Sequence, residues 1–155
     1  PIRVSAVKTV IKSASPLPDG FRLSPADLFQ DYLIARYQTM GGEGVLQATV
    51  EESSVTQSYR PSEDQIGQFF KVAGFDSYNI KLVVRLEHLD AAGNIRYGTV
   101  LNAHRVVNVS EHASIAERER EQSRAMETMF REFDLLVRKV VVEDMGLMIP
   151  RAERM

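Results

Sequence analysis

Apolar and polar residues alternate most clearly between Tyr78 and Glu87, where Tyr78, Ile80, Leu82, Val84 and Leu86 interleave with Asn79, Lys81, Val83, Arg85 and Glu87. Successive side chains of a strand point to opposite faces, so this spacing predicts a half-buried β-strand. Turn residues follow from Asp90 to Asn94, and a second alternation runs from Ile95 to Arg105. Together the two segments predict one long hairpin. Val45 to Glu51 alternates in the same way, with Leu46, Ala48 and Val50 on one face. Its hydroxyl-rich continuation, Ser53 to Tyr59, is expected to pass a bulge at Glu52-Ser53 and then leave the sheet. Ile2 to Ile11 predicts a further strand, whereas Ser13 to Gly20, with Pro16 and Pro18, and Arg60 to Asp76 read as irregular connections.

Two stretches change to a spacing of three and four. The first has Ser24 as N-cap, Pro25 at the first helical position and Asp27 near the positive helix end. Leu28, Phe29, Tyr32, Leu33, Ala35, Tyr37 and Met40 then form an apolar stripe, and Gly41-Gly42 supplies a stop. The second begins with the Ser114 to Glu117 capping box and continues through Met126, Met129, Phe130, Phe133, Val137 and Val141. A helix from Ile115 to near Asp144 would be about 45 Å long at about 1.5 Å per residue. Its sign-alternating start, Glu117 to Glu121, is therefore expected to project into solvent. Gly146 and Pro150 end the pattern, leaving residues 150–155 as a tail.

The order strand, helix, strand, strand, strand, helix predicts an α+β fold. It is a two-layer sandwich in one domain, residues 1–149, with a mainly antiparallel four-stranded sheet (β-α-β-β-β-α) and two helices packed on one face. The helical crossover between the first two strands predicts that they pair in parallel.

Composition adds boundaries. The 155 residues, 44% hydrophobic and 26% charged, suit a single globular domain. A net charge of −2 gives no electrostatic footprint for nucleic acid, which is not expected as a partner. The chain contains no cysteine, which excludes disulfides, a thiol nucleophile and cysteine-ligated metal within it.

Chemistry-bearing residues do not gather. In the hairpin His88 is expected opposite about Arg96 and His104 opposite about Lys81, so these histidines fall far apart along the ladder, and with His112 they nominate no metal site. Glu51 and Glu52 face opposite sides of a strand, while Glu143 and Asp144 sit at the negative end of a helix. Gly41-Gly42-Glu43-Gly44 follows a helix, the reverse of a phosphate-cradling loop. No catalytic residue and no cofactor is nominated, and a non-enzymatic role is expected.

The binding candidates are instead Phe69, Phe70 and Phe75, apolar residues in an irregular connection, together with Tyr78 and Arg105. They are expected to meet a protein partner or an amphiphile alongside the sheet face that no helix covers. A rival expectation is a small soluble enzyme or ligand-binding protein with a pocket between the first helix and the hairpin, formed by Tyr78, Arg85, His104 and Arg105. A third has Ser53 to Tyr59 pairing edge to edge with another copy.

The strand Tyr78 to Glu87, its return to Arg105, and the run Glu111-His112-Ala113-Ser114-Ile115-Ala116-Glu117-Arg118-Glu119 resemble the C-terminal half of small proteobacterial envelope lipoproteins. There an arginine-bearing strand leads into an E-x-A-S-x-x-E-R-E helix start. The element order is also similar to that of ABC-type transport auxiliary lipoproteins. The resemblance implies export, a lipid anchor on a cysteine upstream of Pro1, and an accessory role in envelope maintenance or transport. The absence of a methionine before Pro1 accords with removal of an upstream segment.

Overall fold

In the computed structural model, which describes residues 2–61 and 74–147, serine caps open both helices. Ser24 Oγ accepts the Asp27 N–H at 3.4 Å ahead of α1 (Pro25–Arg36), and Ser114 Oγ accepts the Glu117 N–H at 3.1 Å ahead of α2 (Ile115–Lys139). A cap of this kind stabilises a helix by about 1 kcal/mol.

The strands are β1 (Ala6–Ile11), β2 (Val45–Arg60), β3 (Phe75–Leu89) and β4 (Ile95–Ser110), ordered β1-β2-β3-β4 in one sheet. β1 pairs with β2 in parallel through the α1 crossover, and the other two pairings are antiparallel. This is the expected α+β arrangement, with both helices on one side of the sheet. His104 lies opposite Lys81 as expected, while His88 lies opposite Tyr97 rather than Arg96 because the register shifts between His88 and Leu89. Asp90 Oδ1 closes the hairpin turn by accepting the N–H groups of Ala92 and Asn94 at 3.0 and 2.8 Å.

β2 departs from expectation. It does not leave the sheet after the bulge but pairs with β3 as far as Arg60, while β1 pairs only with Val45 to Val50, so among the described residues the far half of β2 keeps one open edge. The bulge falls between Val50 and Glu52, one residue earlier than expected. It rephases the strand: Leu46, Ala48 and Val50 are buried before it, Ser53 and Val55 after it. The extra residue thus moves the inward positions from even to odd numbers. Ser53 uses that burial, because its Oγ accepts the Ala26 N–H at 3.0 Å and ties α1 to the sheet.

The first helix ends sooner than its stripe predicts. Tyr37 is extended, with φ −119° and ψ 102°. The chain beyond it pairs with Ile2, which donates to Gln38 O at 2.8 Å and accepts from the Met40 N–H at 3.1 Å. Ile2 and Val4 are fully buried by this contact although β1 begins only at Ala6. Two competing backbone hydrogen bonds thus outweigh the helical propensity of Tyr37 to Met40.

The start of α2 corrects a second expectation, since it is docked rather than projecting. Arg118 Nη1 donates to Asp76 Oδ2 and to Tyr78 OH, each at 2.9 Å, and Nη2 donates to Ser110 O at 3.3 Å. Further along, Ala125, Met126, Met129, Phe133 and Val137 face the sheet, where Ile80, Leu82, Val84 and Leu86 are fully buried. After Lys139 the helix widens into a π-helical turn, Val140–Asp144, in which the Met145 N–H reaches back to Val140 O at 2.8 Å.

Candidate functional site

α1 buries Pro25, Ala26, Phe29 and Leu33 against the sheet, and Phe29 meets Phe133 of α2 edge-on with ring centroids 5.7 Å apart. One step round each helix, a second apolar row remains only partly covered. Leu28 and Tyr32 of α1, Phe130 of α2 and Leu23 from the preceding segment line a groove of ≈ 280 Å³ between the helices, and the buried Met126 also contributes to its lining. Tyr32 stands between Phe29 and Phe130, at centroid distances of 5.9 and 6.2 Å, and gives the groove an aromatic wall. Ser123 and Glu127 are its polar lining residues.

Tyr32 also links the groove to charged groups. Its hydroxyl donates to Asp134 Oδ1, and Arg36 Nε donates to the same oxygen at 3.3 Å. Burial, followed by the hydrogen bond to Asp134, pushes the Tyr32 hydroxyl far above the usual phenol range, so it remains a proton donor. The neighbouring Tyr37 hydroxyl is buried, and desolvation raises it as well. Its coupling to Tyr32 falls short of hydrogen-bond geometry, leaving it the kind of buried polar group that costs stability.

This arrangement is suited to holding an apolar chain. It offers aliphatic and aromatic surface open to solvent, with a Tyr32–Asp134–Arg36 network beside it. Among the described residues no group of three or more histidine, aspartate or glutamate side chains is placed to hold a metal ion.

The binding candidates named from sequence are dispersed. Phe69 and Phe70 lie outside the described residues. Phe75 is 43% exposed at the first position of β3, between Arg60 and Ser110. Tyr78 is a core residue, 1% exposed, with its ring 5.3 Å from Phe21 and its hydroxyl engaged by Arg118. Arg105 lies on the helix-covered side of β4 and forms an ion pair with Glu132 at 3.6 Å.

The rival constellation does not converge. Arg85 and His104 occupy the bare face of the sheet, where Arg85 pairs with Glu51 at 3.1 Å and His104 Nε2 meets Asn79 Oδ1. Tyr78 and Arg105 project from the opposite face. The bare face mixes ion pairs with exposed valines: Lys12 and Lys81 pair with Glu51 and Glu52 at 3.3 and 3.2 Å, and Val100 and Val106 are exposed beside them.

The groove was missed because Leu28, Tyr32 and Phe130 fit the same periodicity as the buried stripes. Only the separation of the two helices reveals that this second row is not closed over. Its sequence signal is the width of the stripe, which exceeds what one sheet-facing row requires.

No protein-family model matches the chain, and no curated protein matches it in sequence. Solved structures do share its shape. A neuraminyllactose-binding hemagglutinin homologue from Helicobacter pylori superposes with a TM-score of 0.54 at 8% identity, covering 92% of this chain and 87% of that one. A minor lipoprotein from Acinetobacter baumannii gives a TM-score of 0.48 at 13% identity, covering 97% of this chain and 100% of that one. At such identities the likeness to the Helicobacter protein is one of fold.

Proposed function

We propose that this chain is a non-enzymatic accessory domain of the bacterial cell envelope that binds an amphiphile, with the apolar chain seated between α1 and α2. The observation that carries the reading is the ≈ 280 Å³ groove lined by Leu23, Leu28, Tyr32, Met126 and Phe130. Partly covered aliphatic and aromatic side chains in one groove gain about 25 cal/mol for each Å² they remove from water, which favours an acyl chain over a polar ligand. The envelope setting draws on the resemblance at Glu111 to Glu119, as does attachment through a lipid anchor upstream of Pro1.

The reading is tested by fluorescence titration with cis-parinaric acid, a fatty acid that brightens in an apolar site. Saturable binding that weakens about tenfold in Leu28→Glu would support it. Equal binding by the variant, with an unchanged circular dichroism spectrum, would reject the groove as the site.

A further inference from the structure

At the hairpin end of the sheet, three segments meet around a second cavity of ≈ 320 Å³. The loop before β2 contributes Glu43, the hairpin contributes His88, Asp90, Arg96 and Tyr97, and the π-helical turn contributes Asp144. The walls are fixed by close packing. Gly44, at φ +89°, lies so near the hairpin that a Cβ there would meet Leu89 O at 2.1 Å. Tyr97 OH donates to Asp144 Oδ2 at 3.3 Å, and Asp90 is committed to the turn N–H groups.

The remaining charges are not matched to one another. Among the described residues Glu43 and Arg96 form no hydrogen bond or ion pair within 4.0 Å, and the Asp144 carboxylate takes only the Tyr97 hydroxyl. Opposite charges that share a cavity without pairing leave both ends of a dipolar guest to be satisfied. The position of Asp144 adds weight, because a carboxylate at a helix C-terminus opposes the helix dipole. π-Helical turns are rare and concentrate at functional sites, and this one carries Asp144 into the cavity.

We propose that this cavity binds a small zwitterion, with Asp144 and Glu43 holding a protonated amine and Arg96 holding the anionic group. A primary ammonium supplies the N–H donors that two carboxylates accept, and a planar guanidinium suits a phosphate or carboxylate. Ethanolamine phosphate has this chemistry, either as a free solute or as a phospholipid head group. The site is separate from the groove between the helices, and its test uses no acyl chain in the first arm.

That arm is an NMR chemical-shift titration with O-phosphoethanolamine, alongside ethanolamine and inorganic phosphate as half-ligands. The zwitterion is expected to bind about tenfold more tightly than either half, and Arg96→Gln and Asp144→Asn each to weaken it about tenfold. Arg96 is exposed and asparagine still accepts the Tyr97 hydroxyl, so melting temperatures should match the parent and separate lost binding from lost fold. The second arm is flotation with phosphatidylethanolamine or phosphatidylcholine vesicles. Flotation with the first only, abolished by Asp144→Asn, identifies a head group; binding of the free compound without flotation identifies a solute. Failure of O-phosphoethanolamine to shift Arg96 or Tyr97 at millimolar concentration, equal binding of phosphate alone, or indifference to both variants would overturn the proposal.

Discussion

Replacing Arg118 by methionine should release the start of α2 from the sheet. The side chain is 17% exposed and its partner Asp76 19%, placing this ion pair between the surface and buried regimes. Surface pairs contribute at most about 1 kcal/mol, whereas loss of one partner from a fully buried pair costs about 3–5 kcal/mol. Methionine retains much of the apolar stem but deletes the donors to Asp76, Tyr78 OH and Ser110 O. A loss of about 2–3 kcal/mol follows. For a chain of this length each kcal/mol moves the melting temperature by about 2–4 °C, so a fall of about 5–10 °C is expected. The specific test is a double-mutant cycle with Asp76→Asn, read by urea unfolding, in which the coupling should reach about 1 kcal/mol. If the two changes add to within about 0.5 kcal/mol, Arg118 and Asp76 do not act as a unit and the lock is refuted.

Gly44→Ala should destabilise by about 3 kcal/mol in urea unfolding, because it combines a positive φ with a Cβ 2.1 Å from Leu89 O. Gly93→Ala, with φ +86° and open space around it, should cost only about 1–2 kcal/mol. Tyr32→Phe removes the hydroxyl donated to Asp134 and should cost about 1 kcal/mol in the same assay. Folding raises the pKa of Tyr32 and Tyr37, chiefly by burial, so their contribution is complete below about pH 10 and declines as pH rises through the alkaline range. A pH series of thermal melts should show this decline, with a shallower slope in Tyr32→Phe.

Acid should act in the opposite part of the scale. Desolvation and Arg96 hold His88 below its ordinary value, so stability should start to fall as pH drops through about 6.5. Arg85 and Lys12 lower Glu51, and the turn N–H groups of Asn94 and Ala92 lower Asp90. Their contributions are present above the ordinary carboxylate range and vanish as pH falls through their folded values. An acid titration that raised stability between pH 6.5 and 4 would contradict the assignment.

Local signals carried the fold. The alternation of β3 and β4 gave their pairing, including Lys81 opposite His104, and Ser24 and Ser114 marked both helix starts. What sequence did not show depends on distant partners. Arg118 sits in a charged run that reads as a solvated helix face, but its partner Asp76 is 42 positions away. Tyr37 to Met40 continue a helical stripe, and only the return of Ile2 to Gln38 and Met40 explains why α1 stops. The polar half of β2 lacks an apolar rhythm, yet its backbone pairs with β3 throughout, since ladder bonds do not depend on side-chain polarity. The groove followed the same rule: periodicity identified Tyr32 and Phe130 as apolar-face residues without showing that the space between them stays open.

The central claim, that an acyl chain lies between α1 and α2, is tested most directly by isotope-filtered nuclear Overhauser measurements on the labelled protein with decanoate. Contacts from the decanoate methylenes to Leu23, Leu28 and Met126 are the predicted result. Contacts confined to Val100 and Val106 on the bare sheet face, or none at saturating decanoate, would contradict it.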